Sequence, residues 1–252
     1  MVYSSTTGGA ARMAEVLDRG PGRGRAPRSA VHTHRFAVVR LRENGPNSVL
    51  VKSISFQSYP DQVALLTARG EVIREYWHSG HMQRMEVADG DGDGVKEIYL
   101  AGISNGYKTA TLVVLEPERF AGASVEEAVD YQLQGFAAGR ERARILLPRS
   151  CFNRRLHEWN SVEDLWVQPG EISVTVSERK APRAASVLYR FTGELKLKEV
   201  ILSSNFRAQH AELEAAGVLD HRFTAAEEGE LHKVRYLTPG PAQQVAAGGG
   251  HR

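Results

Sequence analysis

Residues 87–100 read Val-Ala-Asp-Gly-Asp-Gly-Asp-Gly-Val-Lys-Glu-Ile-Tyr-Leu, and this segment constrains the chain more than any other. Asp89, Asp91, Asp93 and Glu97 stand at relative positions 1, 3, 5 and 9, with glycines at 2, 4 and 6. Carboxylates this close repel one another in a folded loop, and Lys96 is the only local cation. A hard divalent ion offsets the charge better. Calcium takes six to eight oxygen donors at about 2.3–2.6 Å, usually carboxylates and backbone carbonyls. The glycines let the chain curl so that side chains 1, 3 and 5 converge. Val95 has no side-chain donor, so its carbonyl would serve at position 7, and Glu97 would close the site. The expected ligands of one structural Ca2+ are therefore Asp89, Asp91, Asp93, Val95 and Glu97. The alternative is a solvated Asp-Gly turn without metal. An EF-hand opens in the same way but needs a bidentate Glu at position 12, where this chain has Leu100. The flanks also read as strands, so the loop joins two β-strands.

The surrounding pattern is that of an antiparallel β-meander. Segments 36–41 and 48–56 flank a turn cluster at 43–47, and 62–67 and 71–77 flank Gly70, which suits a tight hairpin. Strands are expected at 82–88, 97–103 and 109–115, then at 144–147, 161–167, 171–177, 186–191 and 194–202. Ser124 and Glu127 match a capping box and predict a helix over 125–134. A second helix is expected over 206–216, stopped by Gly217, and Thr224 with Glu227 opens a third. Residues 1–33 are Gly-, Ala-, Ser- and Arg-rich with sparse apolar residues and are expected to be a disordered leader, as is the tail 238–252. The β-rich domain therefore spans 34–237. No secretory h-region is visible in the leader.

Composition narrows the functions. Lys+Arg is 32 against Asp+Glu 30, so no global basic field argues for nucleic acid. No apolar run reaches the roughly 18–20 residues of a membrane helix. The single Cys151 excludes an internal disulfide framework.

Residues 87–102 resemble the calcium-loop segment of FG-GAP/VCBS-type β-propeller repeats, also found in integrin α-chains. The shared pattern is an apolar strand, D-x-[DN]-x-D-G-x-x-[DE], and a second apolar strand ending near glycine. It matches at Asp89, Asp91, Asp93, the Val95 carbonyl and Glu97. The hairpin at 65–77 and the segment 105–115 extend the resemblance to about residues 62–116. It implies a mainly β, propeller-like or partial-propeller fold that binds calcium. A weak internal echo, 65–72 against 188–195, agrees with repetition. The chain departs from the family in having one calcium loop, room for four or five blades, and helical stretches foreign to a blade.

Other candidates are weaker. His78 and His81 lie in a turn with no further zinc ligands nearby. Cys151 has arginine neighbours but no identified base and is expected to pack. Trp77, Trp159 and Trp166 are expected as core or rim residues. The basic stretches 140–144 and 149–155 are interrupted by Glu141 and flanked by Glu158, and are expected to form a solvated face, with anion binding the sharper alternative. The leading expectation is a non-catalytic calcium-binding module with an unidentified protein or carbohydrate ligand. The alternatives are a hydrolase using dispersed acids such as Asp61, Glu163 and Asp164, or the sensor portion of a larger signalling protein. A calcium loop suits an extracytoplasmic compartment, although no export signal is visible.

Overall fold

A computed structural model describes residues 31–55, 59–155, 158–178 and 185–237. The expected leader and tail fall outside these residues, except that the first strand begins at Val31. Among the described residues, twelve strands form three successive antiparallel meanders, each joined in chain order. The first sheet holds β1 (Val31–Arg40), β2 (Asn47–Ser55), β3 (Asp61–Thr67) and β4 (Val72–His78). The second holds β5 (Gly80–Ala88), β6 (Glu97–Ser104), β7 (Thr109–Leu115) and β8 (Ala143–Leu147). The third holds β9 (Asn160–Gln168), β10 (Glu171–Glu178), β11 (Ser186–Thr192) and β12 (Leu197–Leu202). The two-residue β13 (Arg235–Tyr236) returns to pair with β8 at the edge of the second sheet.

The alternation of side chains stacks the three sheets. On β6, Ile98 and Leu100 join Leu50, Val63, Leu65 and Tyr76 of the first sheet. Tyr99 and Ala101 face the other way and join Ile172, Val174, Tyr189 and Phe191 of the third. β7 divides likewise, with Val113 and Leu115 on one side and Leu112 and Val114 on the other. Both faces of the second sheet are therefore covered, and every residue of β6 and β7 is buried. Such strands lose the inside–outside alternation of hydrophobicity and read as continuous apolar runs.

The echo between 65–72 and 188–195 has a structural counterpart. Both segments are the third-to-fourth-strand hairpin of their sheets. In each a threonine carbonyl accepts from the residue three on, Gly70 to Thr67 and Leu195 to Thr192. The turns thus match Thr67 with Thr192 rather than with Arg190, as the sequence echo has it. Gly70 and Leu195 share positive φ, 88° and 65°. Glycine adopts that conformation freely, whereas a leucine there is strained.

Among the described residues there are three α-helices: α1 (Cys151–Arg155), α2 (Ser204–Ala215) and α3 (Ala225–Leu231). α1 was not expected. α3 begins with the Thr224–Glu227 capping box, and Gly217 follows α2 with φ of 70°. The helix expected over 125–134 does not form; only a 3-10 turn at Val129–Tyr131 appears. Ser124 is spent elsewhere: its hydroxyl accepts from the Ser79 N–H and donates to Glu126. Ala123 is held in bridges to Trp77 and Ala138, so tertiary pairing outweighs the local helix signal.

Glu178, at the end of β10, supplies a test of the third sheet. Burial pushes its carboxyl up to about 7, and the Ser150 hydroxyl beside it only partly compensates. A raised carboxyl pKa means the folded state holds the proton more tightly. Its stabilising contribution is complete below the ordinary carboxylate range and is lost as pH rises through about 7. Glu178→Gln is expected to remove this dependence and to gain roughly 3 kcal/mol over the parent at pH 9, with little change at pH 4. Urea denaturation at the two pH values checks it; equal differences at both would refute it.

Candidate functional site

The acidic loop turns out to be the corner at which all three sheets meet. Gly92 and Gly94 take φ of 80° and 85°, which lets the loop double back. Gly90 approaches Tyr99 so closely that a Cβ would lie 2.1 Å from its hydroxyl. The Gly90 carbonyl accepts from the Gly170 N–H of the β9–β10 turn at 2.8 Å. On the other side Val95 bridges to Arg42, and the Lys96 N–H donates to the Leu41 carbonyl at the β1–β2 turn.

Three of the four carboxylates converge. One oxygen from each of Asp89, Asp91 and Glu97 lies within 4.8 Å of the others. Of the four carboxylates expected at positions 1, 3, 5 and 9, those at 1, 3 and 9 are brought together. Asp93 is not in the group; its Oδ1 accepts from the Val95 N–H at 2.7 Å and shapes the turn. Asp89 accepts from the Gly92 and Gly94 N–H groups at 2.7 and 2.9 Å. Asp91 Oδ1 accepts from the Asp93 N–H. Glu97, 2% exposed, accepts from the Tyr99 hydroxyl at 2.9 Å and the Gly90 N–H at 3.2 Å. Burial pushes the Glu97 carboxyl up, the two hydrogen bonds pull it back, and the charge of Asp91 raises it again.

The sequence reading looked only to Lys96 for compensating charge and missed Arg142. Its Nη1 lies 2.7 Å from Asp91 Oδ2 and 3.3 Å from Glu97 Oε1. Arg142 precedes β8, and the pairing of β8 with β7 carries it to the corner. Nothing in local spacing signals this contact. The donor set passes the test for a hard cation: all three side chains offer oxygen, and 4.8 Å is the span of two calcium–oxygen bonds of about 2.4 Å.

The other candidates fall apart geometrically. Asp61 is fully buried beside Lys52, Nζ–Oδ2 3.0 Å, and accepts from the Met82 N–H. Burial pushes it up to about 7 against the pull of Lys52. Glu163 and Asp164 are exposed on β9, so the three acids suggested for a hydrolase do not share a cleft. His78 is buried and pushed well below its ordinary pKa by that burial, whereas His81 is partly exposed. Trp77 is core and Trp166 half exposed. Cys151 lies 3.8 Å from His210 Nδ1. Burial, with Glu227 beside it, pushes the thiol up to about 12, leaving it protonated and a poor nucleophile.

No protein-family profile, curated protein or solved structure matches the chain. No helix among the described residues is long and apolar enough to cross a membrane.

Arg142→Met is expected to destabilise the protein by about 3 kcal/mol in divalent-free buffer, because it leaves nearby carboxylates without their cation. Adding Glu97→Gln to that variant is expected to recover part of the loss. Chemical denaturation of the single and double variants in EDTA checks both; strict additivity would contradict the coupling.

Proposed function

We propose that this chain is a non-catalytic, calcium-binding β-module, propeller-like in the stacking of its four-stranded units, that serves as a binding or interaction domain. The observation that carries the calcium reading is the convergence of Asp89, Asp91 and Glu97 at the corner shared by the three sheets. These three would hold the ion, with the Val95 carbonyl and Asp93 as the further donors that the FG-GAP/VCBS resemblance implies. The role is structural. A divalent ion there would neutralise the loop that hydrogen-bonds to turns of both neighbouring sheets, so its binding energy would stabilise the stack. Three consecutive meanders packed face to face and the matching turns at Thr67 and Thr192 support the propeller-like reading.

Calorimetric titration with calcium tests the proposal. The expected result is one saturable site with Kd on the order of 10⁻⁴–10⁻³ M, the range of extracellular modules. Asp89→Ala, Asp91→Ala and Glu97→Gln should each abolish the heat, while Asp93→Ala should reduce it. Heat at millimolar calcium no greater than that of the variants would reject the site.

A further inference from the structure

At the opposite end of the second sheet from the acidic loop, a cleft of about 240 Å³ opens beside the end of β8. Leu147 and Pro148 line it together with Arg149, Arg154, Lys233 and Arg235, and Glu230 is the one carboxylate in the lining. These residues come from three places in the chain. Arg149 follows β8, Arg154 lies in α1, and Lys233 and Arg235 follow α3 and reach the cleft because β13 pairs with β8.

The charges do not balance inside the protein. Lys233 is paired with Glu230, and Arg235 with Glu127. Arg235 is further fixed over the Tyr107 ring, 5.4 Å from its centroid. Two guanidiniums remain. Arg149 donates to a peptide carbonyl, that of Glu158, at 3.2 Å. Arg154 has no ion pair among the described residues, though its charge acts on Glu230, which Lys233 already pairs. Burial holds Arg149 below its ordinary pKa, and the charge of Arg154 lowers it further. Two like charges held beside one cleft, one of them partly desolvated, cost free energy until an anion sits between them. Arginine forks match the oxygens of a phosphoryl group, and two unmatched positive charges match a dianion. The volume suits an anionic group rather than a whole nucleotide, since drug-sized ligands occupy roughly 300–1,000 Å³.

We propose that this cleft is a binding site for a phosphate dianion, either inorganic phosphate or the phosphoryl group of a small phosphomonoester, held by Arg149 and Arg154 with Lys233 and Arg235 around it. The site is independent of the calcium reading, because no residue is shared with the acidic loop.

Calorimetry of the full chain with inorganic phosphate, in EDTA and at constant ionic strength set with chloride, tests it. The expected result is one saturable site with Kd on the order of 10⁻³ M or tighter. Free phosphoserine should bind in competition with phosphate if phosphomonoesters are the ligands, and fail to compete if the site takes only the free ion. Acetate at the same concentration should not compete. Arg154→Gln alters an exposed side chain, so it should leave the circular dichroism spectrum unchanged while weakening phosphate at least about tenfold. Arg149→Gln should do the same, and Arg69→Gln, in the exposed β3–β4 turn, should have no effect. Binding that does not saturate, that survives Arg154→Gln unchanged, or that falls equally in Arg69→Gln would overturn the proposal.

Discussion

The arrangement of this protein depends on how negative charge is managed at one corner. Asp89, Asp91 and Glu97 are drawn together where the β5–β6 loop touches the turns of both flanking sheets. The arrangement requires a cation. Arg142 supplies one positive charge, delivered by the strand that follows it. One guanidinium against three carboxylates leaves an excess of negative charge, and Glu97 is nearly out of water. That residual imbalance is what would favour a divalent ion here, and in the proposed reading metal binding and sheet stacking become parts of one equilibrium.

The second sheet makes such coupling possible. Its two central strands are buried on both faces, so the core continues from the first sheet through β6 and β7 to the third. Close-packed interiors transmit displacement because they have little free volume. A change in the loop between β5 and β6 therefore acts on an element that both neighbours grip. The buried Lys52–Asp61 pair adds a polar contact between sheets, with Asp61 of β3 accepting from Met82 of β5. Pairs of this kind cost desolvation, and their clearest benefit is to fix register.

Local signals in the sequence revealed the strands well, because period-two alternation, β-branched residues and turn glycines act over short distances. The hairpin at Gly70, the end of α2 at Gly217 and the cap of α3 at Thr224 were all legible for that reason. Ser124 shows where such reading fails. Its capping-box pattern is intact, yet its hydroxyl is committed to Ser79 and Glu126 across the fold. The acidic loop was legible as a cluster but not in its geometry. Asp93 folds back onto the Val95 N–H, while Asp89, Asp91 and Glu97 form the group. Arg142 was invisible because only the β7–β8 pairing brings it to the loop. The basic cleft was half legible: the run 149–155 stands out in the sequence, while Lys233 and Arg235 join it only through β13.

The two ends of the second sheet impose opposite electrostatic demands. At one end of β6, carboxylates exceed the cations near them; beyond its other end, across the β6–β7 turn, guanidiniums exceed the carboxylates. The chain as a whole is close to neutral, at +2, so neither imbalance follows from composition. Each is a local arrangement held by strand pairing: β7 with β8 brings Arg142 to the acidic corner, and β8 with β13 brings Arg235 to the basic cleft. β8 is thus the element that sets the charge at both ends. Loops positioned by a rigid scaffold are where binding residues are disproportionately found. In the proposed reading the same strand would serve a cation at one tip and an anion at the other.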